Sequence, residues 1–103
     1  MPDDLHMAPE DFRELGRKLI DFIADYREKI ETFPVLSQLQ PGEVAAGLPL
    51  EPPVEGDSLD NILQDIDRIV MPGLTHWQSP GFFGYYPANS SLPSVLAELL
   101  CAG

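Results

Sequence analysis

Apolar positions in the first third of the chain fall on one helical face. Phe12, Leu15, Leu19, Phe22, Tyr26 and Ile30 recur at three- and four-residue spacing, and Ile20 and Ile23 widen the stripe. The spacing predicts an amphipathic helix over 8–31. Pro9 suits its first position, and Glu10 and Asp11 favour the positive end of its dipole. The opposite face carries Arg13, Glu14, Arg17, Lys18, Asp21, Asp25, Glu28 and Lys29. The pairs Glu14/Lys18 and Asp25/Lys29 have the favourable i,i+4 order, so this face reads as solvated surface rather than a charge-based site.

The pattern breaks over 32–57, where Pro34, Pro41, Pro49, Pro52 and Pro53 alternate with Gly42, Gly47 and Gly56. Proline favours extended backbone, so a segment of this length reaches up to roughly 80 Å if polyproline-like. It reads either as a flexible linker or as an arm that wraps a surface, with Val35, Leu36, Leu39, Val44, Leu48 and Leu50 as anchors. A second helix is expected over 58–70, capped by Asp57, with Leu59, Ile62, Leu63, Ile66, Ile69 and Val70 on one face. Pro72 and Gly73 stop it. An aromatic loop fills 71–90, and a third helix over 91–102 repeats Leu92, Val95, Leu96, Leu99 and Leu100, with Pro93 in its first turn. The expected fold is mainly α: three helices and a Pro-rich wrapping arm.

Charge is distributed unevenly along this plan. From residue 69 onward the only charged side chain is Glu98, although the chain as a whole carries a formal charge of -11. Burying a large apolar side chain contributes roughly 1.5–3 kcal/mol. Leaving about six of Trp77, Phe82, Phe83, Tyr85, Tyr86, Leu96, Leu99 and Leu100 wet would forgo on the order of 9–18 kcal/mol, which rivals the whole stability of a domain. The segment therefore packs on the first half of the chain or on a surface outside it. The sequence also stops within an apolar pattern at Leu99-Leu100-Cys101-Ala102-Gly103, which predicts a segment of a longer polypeptide.

The acidic balance offers no basic stripe for nucleic acid or an anionic membrane. No run of 18 apolar residues occurs, and the N-terminus lacks the basic start of a signal peptide, so a soluble, cytoplasmic protein is expected. Cys101, the one cysteine, rules out an internal disulfide and is expected as a small buried apolar residue.

Catalytic candidates are sparse. No glycine-rich phosphate loop precedes a helix, and no His, Cys and carboxylate set has metal-ligand spacing. Lys18 and Lys29 both lie on the polar helix face, unlike a desolvated imine-forming amine. His76, beside Trp77, reads as a hydrogen-bonded structural residue. The aromatic loop is the remaining feature: Pro80, Gly81, Gly84 and Pro87 shape it while Trp77, Phe82, Phe83, Tyr85 and Tyr86 present rings. Such rings suit core packing or the wall of a pocket for a flat ligand, and the residues alone leave both open.

The run Met71-Pro72-Gly73-Leu74-Thr75-His76-Trp77-Gln78-Ser79-Pro80, followed by Phe82-Phe83-Gly84-Tyr85-Tyr86-Pro87-Ala88-Asn89-Ser90-Ser91, closely resembles the N-terminal region of group II pyridoxal-phosphate-dependent amino-acid decarboxylases. The aromatic-L-amino-acid (DOPA, tyrosine, tryptophan) branch is the nearest, and Phe12 to Gly16 with Asp21 to Tyr26 is similar to that family's opening helix. The resemblance implies the swapped N-terminal segment of an α/β fold-type I enzyme, a homodimer binding pyridoxal 5'-phosphate through residues beyond 103. It implies a substrate-pocket wall at Trp77, Tyr85, Tyr86, Pro87 and Ala88, decarboxylation of an aromatic amino acid by the whole protein, and no catalysis by residues 1–103 alone. Another reaction in the same family is a second expectation: an aldehyde synthase, or a decarboxylase for histidine or glutamate. A self-contained acidic helical interaction module is a third.

Overall fold

A computed structural model describes residues 7–85 and 90–103, and all regular structure among them is helical. Helix α1 spans Pro9–Lys29 with proline in its first turn, acids at its start, and Arg27 and Lys29 in its last turn, an arrangement that complements the helix dipole at both ends. A 3-10 turn, Ile30–Thr32, tightens its end and buries Ile30. On its polar face Lys18 pairs with Glu14 at 3.6 Å and with Asp60 at 3.1 Å. Among the described residues no ion pair joins Asp25 and Lys29, the second spacing pair.

The arm holds a short helix that its proline and glycine content masked, α2 over Glu43–Gly47. Gly42 enters it with φ 92°, a left-handed conformation that glycine adopts without steric cost. Helix α2 lies against the turn that follows the next helix. A Cβ on Gly73 would stand 2.4 Å from Val44 Cγ2, so only glycine permits this approach.

Helix α3 covers Leu59–Asp65, and its cap differs from the expected Asp57. Ser58 is the N-cap, accepting from the Asn61 amide at 3.1 Å. Asp57 sits one residue earlier, and its Oδ1 accepts from the Ser58 amide and the Asn61 side chain, both at 2.7 Å. Both residue types serve as caps, and the backbone entry angle decided between them. Beyond Asp65 the helix widens into a π turn, Ile66–Val70, and then closes into a 3-10 turn, Met71–Gly73, at the proline. Helix α4 spans Leu92–Ala102, opened by a reciprocal capping box. The Ser94 amide donates to Ser91 Oγ at 3.2 Å, and the Ser91 amide donates to Ser94 Oγ at 3.1 Å.

These elements enclose little interior. Among the described residues the buried apolar side chains are Ile30 and Ile69, and none is completely buried. The Cα radius of gyration is 16.4 Å, against about 13 Å for a compact domain of this size. Accessible surface totals 8647 Å², whereas a compact monomer of 11.4 kDa exposes about 5,800 Å². Cys101 is exposed, contrary to expectation, on a helix whose Leu92, Leu96, Leu99 and Leu100 are exposed as well. The apolar faces of α1 and α4 stay open: Phe12 is 62% accessible, Leu96 55% and Leu100 81%.

Candidate functional site: an anchored aromatic stack

Long-range contacts converge on the loop after α3. Its first fixed point is His76, 4% accessible. The His76 amide donates to the Val35 carbonyl at 2.9 Å, tying the loop to the start of the arm. Its ring lies against Phe33, with centroids 5.2 Å apart, and Nδ1 lies 2.8 Å from the Tyr26 hydroxyl of α1. Tyr26 keeps its proton well into the alkaline range, because burial raises its pKa while neighbouring Arg27 lowers it by less. The phenol thus donates to Nδ1 when the imidazole carries its proton on Nε2. His76 is held structurally, and its ring is spent on packing and this bond.

Tight local bonds set the next residues. The Ser79 amide donates to the His76 carbonyl at 3.0 Å, the Phe82 amide to the Ser79 carbonyl at 3.0 Å, and the Gly81 amide to the buried Ser79 hydroxyl at 3.2 Å. The turn returns Phe82 to Trp77, whose rings stack at 5.1 Å and 18°. Tyr85 stacks on Trp77 as well, at 5.3 Å and 19°. Gly84 makes room for this layering, since a Cβ there would meet the Phe82 ring at 3.1 Å. Tyr85 itself has φ 55°, a left-handed backbone uncommon for a bulky residue, and the strain is held where its ring meets Trp77.

The result is a layered aromatic surface with an open side. Trp77 remains 45% accessible and Tyr85 80%. Three grooves of about 500, 290 and 550 Å³ indent the chain, and neither residue lines any of them. Among the described residues the outer side of the stack therefore stays open to solvent. Tyr86, Pro87 and Ala88 lie outside the described residues. Phe82 joins Trp77 and Tyr85, and Tyr26 and Phe33 support the loop through His76. The Tyr26 contact crosses 50 positions of sequence, and its one local sign was Tyr26 on the apolar stripe of α1.

Residues 41–103 match the family described as the pyridoxal-dependent decarboxylase conserved domain. The chain belongs to that family. It is 50% identical over 96 residues to tryptophan decarboxylase 2 of Oryza sativa subsp. japonica, covering 93% of this chain and 19% of the relative. It is 52% identical over 97 residues to phenylacetaldehyde synthase of Arabidopsis thaliana, covering 94% and 20%. Its fold matches the crystal structure of Catharanthus roseus tryptophan decarboxylase in complex with L-tryptophan with a TM-score of 0.88 and 38% identity, over 95% of this chain and 21% of that one. The chain thus spans about a fifth of the length of the curated relatives it matches. Membership of an enzyme family leaves the self-contained interaction module without support.

A pyridoxal-type cofactor needs an amine that can shed its proton. Lys18 is the reverse case: its hydrogen bond and charge attraction to Asp60, then Glu14, raise its pKa. Lys29 is exposed. Among the described residues no three of His, Cys, Asp and Glu cluster as metal ligands. Neither lysine of this chain offers the amine the cofactor needs, and what the described residues offer is a positioned aromatic stack.

Proposed function

We propose that the whole protein is a pyridoxal-phosphate-dependent decarboxylase converting an aromatic L-amino acid to its amine and carbon dioxide. Within it, residues 1–103 supply dimer contacts and one wall of the substrate pocket. The observation that carries the reading is the solvent-open stack of Phe82, Trp77 and Tyr85 on a hydrogen-bonded loop, in a chain of this family. A flat side chain gains most from preset rings, because offset stacking contributes about 0.5–1.5 kcal/mol beyond burial and a rigid wall loses little entropy on binding. The wall holds the side chain in one orientation, and its contribution to catalysis is positioning. Tyr86, Pro87 and Ala88 extend this wall in the proposal.

The exposed stripe of α1 supports the dimer part. Surface in excess of a compact monomer, about 2,900 Å² on this one chain, exceeds the roughly 1,000–2,500 Å² that each partner buries in an obligate interface, leaving room for contact with both a second subunit and the rest of the protein. The cofactor is held by residues other than these 103.

The test is product analysis on the full-length protein with pyridoxal 5'-phosphate, offering tryptophan, tyrosine, phenylalanine, DOPA, histidine and glutamate in turn. Aromatic amines should form, and W77A and Y85A should raise KM for them by about tenfold with smaller effects on kcat. Preference for histidine or glutamate would refute the wall's role. A second reading, aldehyde formation, is favoured by the 52% identity to a phenylacetaldehyde synthase. The same assay separates the two, since an amine keeps the substrate nitrogen and an aldehyde has lost it.

A further inference from the structure

Beside Tyr26, the next residue of α1 reaches the same loop at two places. Arg27 Nη1 donates to Gln78 Oε1 at 3.3 Å, and Nη2 donates to the Ser90 carbonyl. Gln78 follows Trp77 directly, and Ser90 precedes the N-cap of α4. One planar guanidinium therefore joins the residue after Trp77 to the residue before the N-cap of α4, with Phe82 and Tyr85 between them in sequence. Its contacts bridge 51 and 63 positions of sequence, so they set tertiary geometry rather than local structure.

We infer that Arg27 is a positioning residue for the substrate-pocket wall, a bridge that fixes the separation of the loop ends and so the placement of the Trp77 and Tyr85 rings. The inference rests on the pocket reading above. Three points carry it. Arg27 is half-buried, unlike the exposed arginines Arg13 and Arg68, whose ion pairs join neighbours on their own helical segments. A guanidinium donates through a rigid fork to two acceptors at once, which the point charge of lysine does not reproduce. Hydrogen bonds from a charged donor are also stronger than neutral ones. Tyr26 holds the loop at His76, while Arg27 holds the chord from 78 to 90, and together they make the wall depend on the last turn of α1.

The experiment compares R27M, R27K, Q78A and the surface control R68M in the full-length, cofactor-loaded protein. Hydrogen exchange across 79–85 is read by mass spectrometry, with KM and kcat for the aromatic amino acid used. R27M should speed exchange there by about tenfold and raise KM about tenfold, with kcat within about twofold and exchange across α1 unchanged. R27K should stay closer to R27M than to the parent, Q78A should fall between them, and R68M should match the parent. Unchanged loop exchange in R27M overturns the bridge whatever the activity. Faster exchange with unchanged KM overturns the positioning role, as does full rescue by lysine. If the parent protein processes no aromatic amino acid, the pocket reading fails and the positioning role with it, while the exchange measurement still decides the bridge. Should R27M fold poorly, Q78A carries the same comparison with one acceptor removed.

Discussion

Tyr26 and His76 stand 50 positions apart, and their 2.8 Å bond links α1 to the aromatic loop. Removing one hydroxyl isolates its contribution. Tyr26→Phe keeps the ring against Phe33 and His76 but leaves Nδ1 of a buried imidazole without its partner, at a cost of about 1–3 kcal/mol. Thermal unfolding of the intact protein should show a lowered Tm, and Tyr26→Leu should lower it further by losing the stacking as well. Gly73 is constrained more sharply. Gly73→Ala places a methyl group 2.4 Å from Val44 Cγ2, on a β-branched side chain that turns aside only with difficulty. It should destabilise by about 1–3 kcal/mol, and Val44→Ala in the same chain should restore part of the loss, since Val44 Cβ lies at 3.8 Å. Equal melting temperatures for the single and double variants would refute the contact.

At the scale of elements, each helix end is decided by one or two side chains. The capping box of α4 satisfies amides at both Ser91 and Ser94. Ser91→Ala should cost about 1 kcal/mol and appear as faster exchange at the first-turn amides of α4, with α1 unaffected. The expected cap at Asp57 and the observed cap at Ser58 show where sequence reading reaches its limit. Adjacent residues with equal capping chemistry are separated only by backbone direction. The hidden helix α2 is a similar case: proline and glycine mark breaks at each side, yet the five residues between them coil because Val44 gains the contact over Gly73. The π turn at Ile66–Val70 also lies beyond periodicity, which does not distinguish one widened turn from a regular one.

Across the described residues, α1 meets the later elements through polar and aromatic contacts, while α2 meets the turn after α3 through Val44 and Ile69. Lys18 to Asp60 joins α1 to α3 on an exposed surface. The pKa of Lys18 is raised above 10.5, chiefly by Asp60, so its stabilising contribution is complete below that value and is lost as pH rises through the folded value. Burial raises Tyr26 above 10.0, so the unfolded phenol ionises first and folding again weakens as pH climbs past 10. Melting temperature should therefore decline above about pH 10, more shallowly in K18M and in Y26F, as a pH series of thermal scans would show. A decline of equal steepness in both variants would place the alkaline transition elsewhere. Far larger than these terms is the uncovered apolar surface of α1 and α4, and for α4 the sequence announced it as a segment with one charge after residue 68.

The sequence by itself determined the helical faces of α1, α3 and α4, the break at Pro72 and Gly73, and the aromatic loop, because each depends on neighbours within a turn of helix or on residues with a fixed backbone preference. It also carried the family, through a run of residues specific enough to name it. Only the tertiary structure decided that Trp77 stacks with Phe82 and Tyr85, that His76 is pinned by Tyr26 and Phe33, and that Arg27 spans the loop ends. Those contacts join positions up to 63 residues apart, and nothing in local spacing encodes which distant side chain arrives at a given ring or carbonyl.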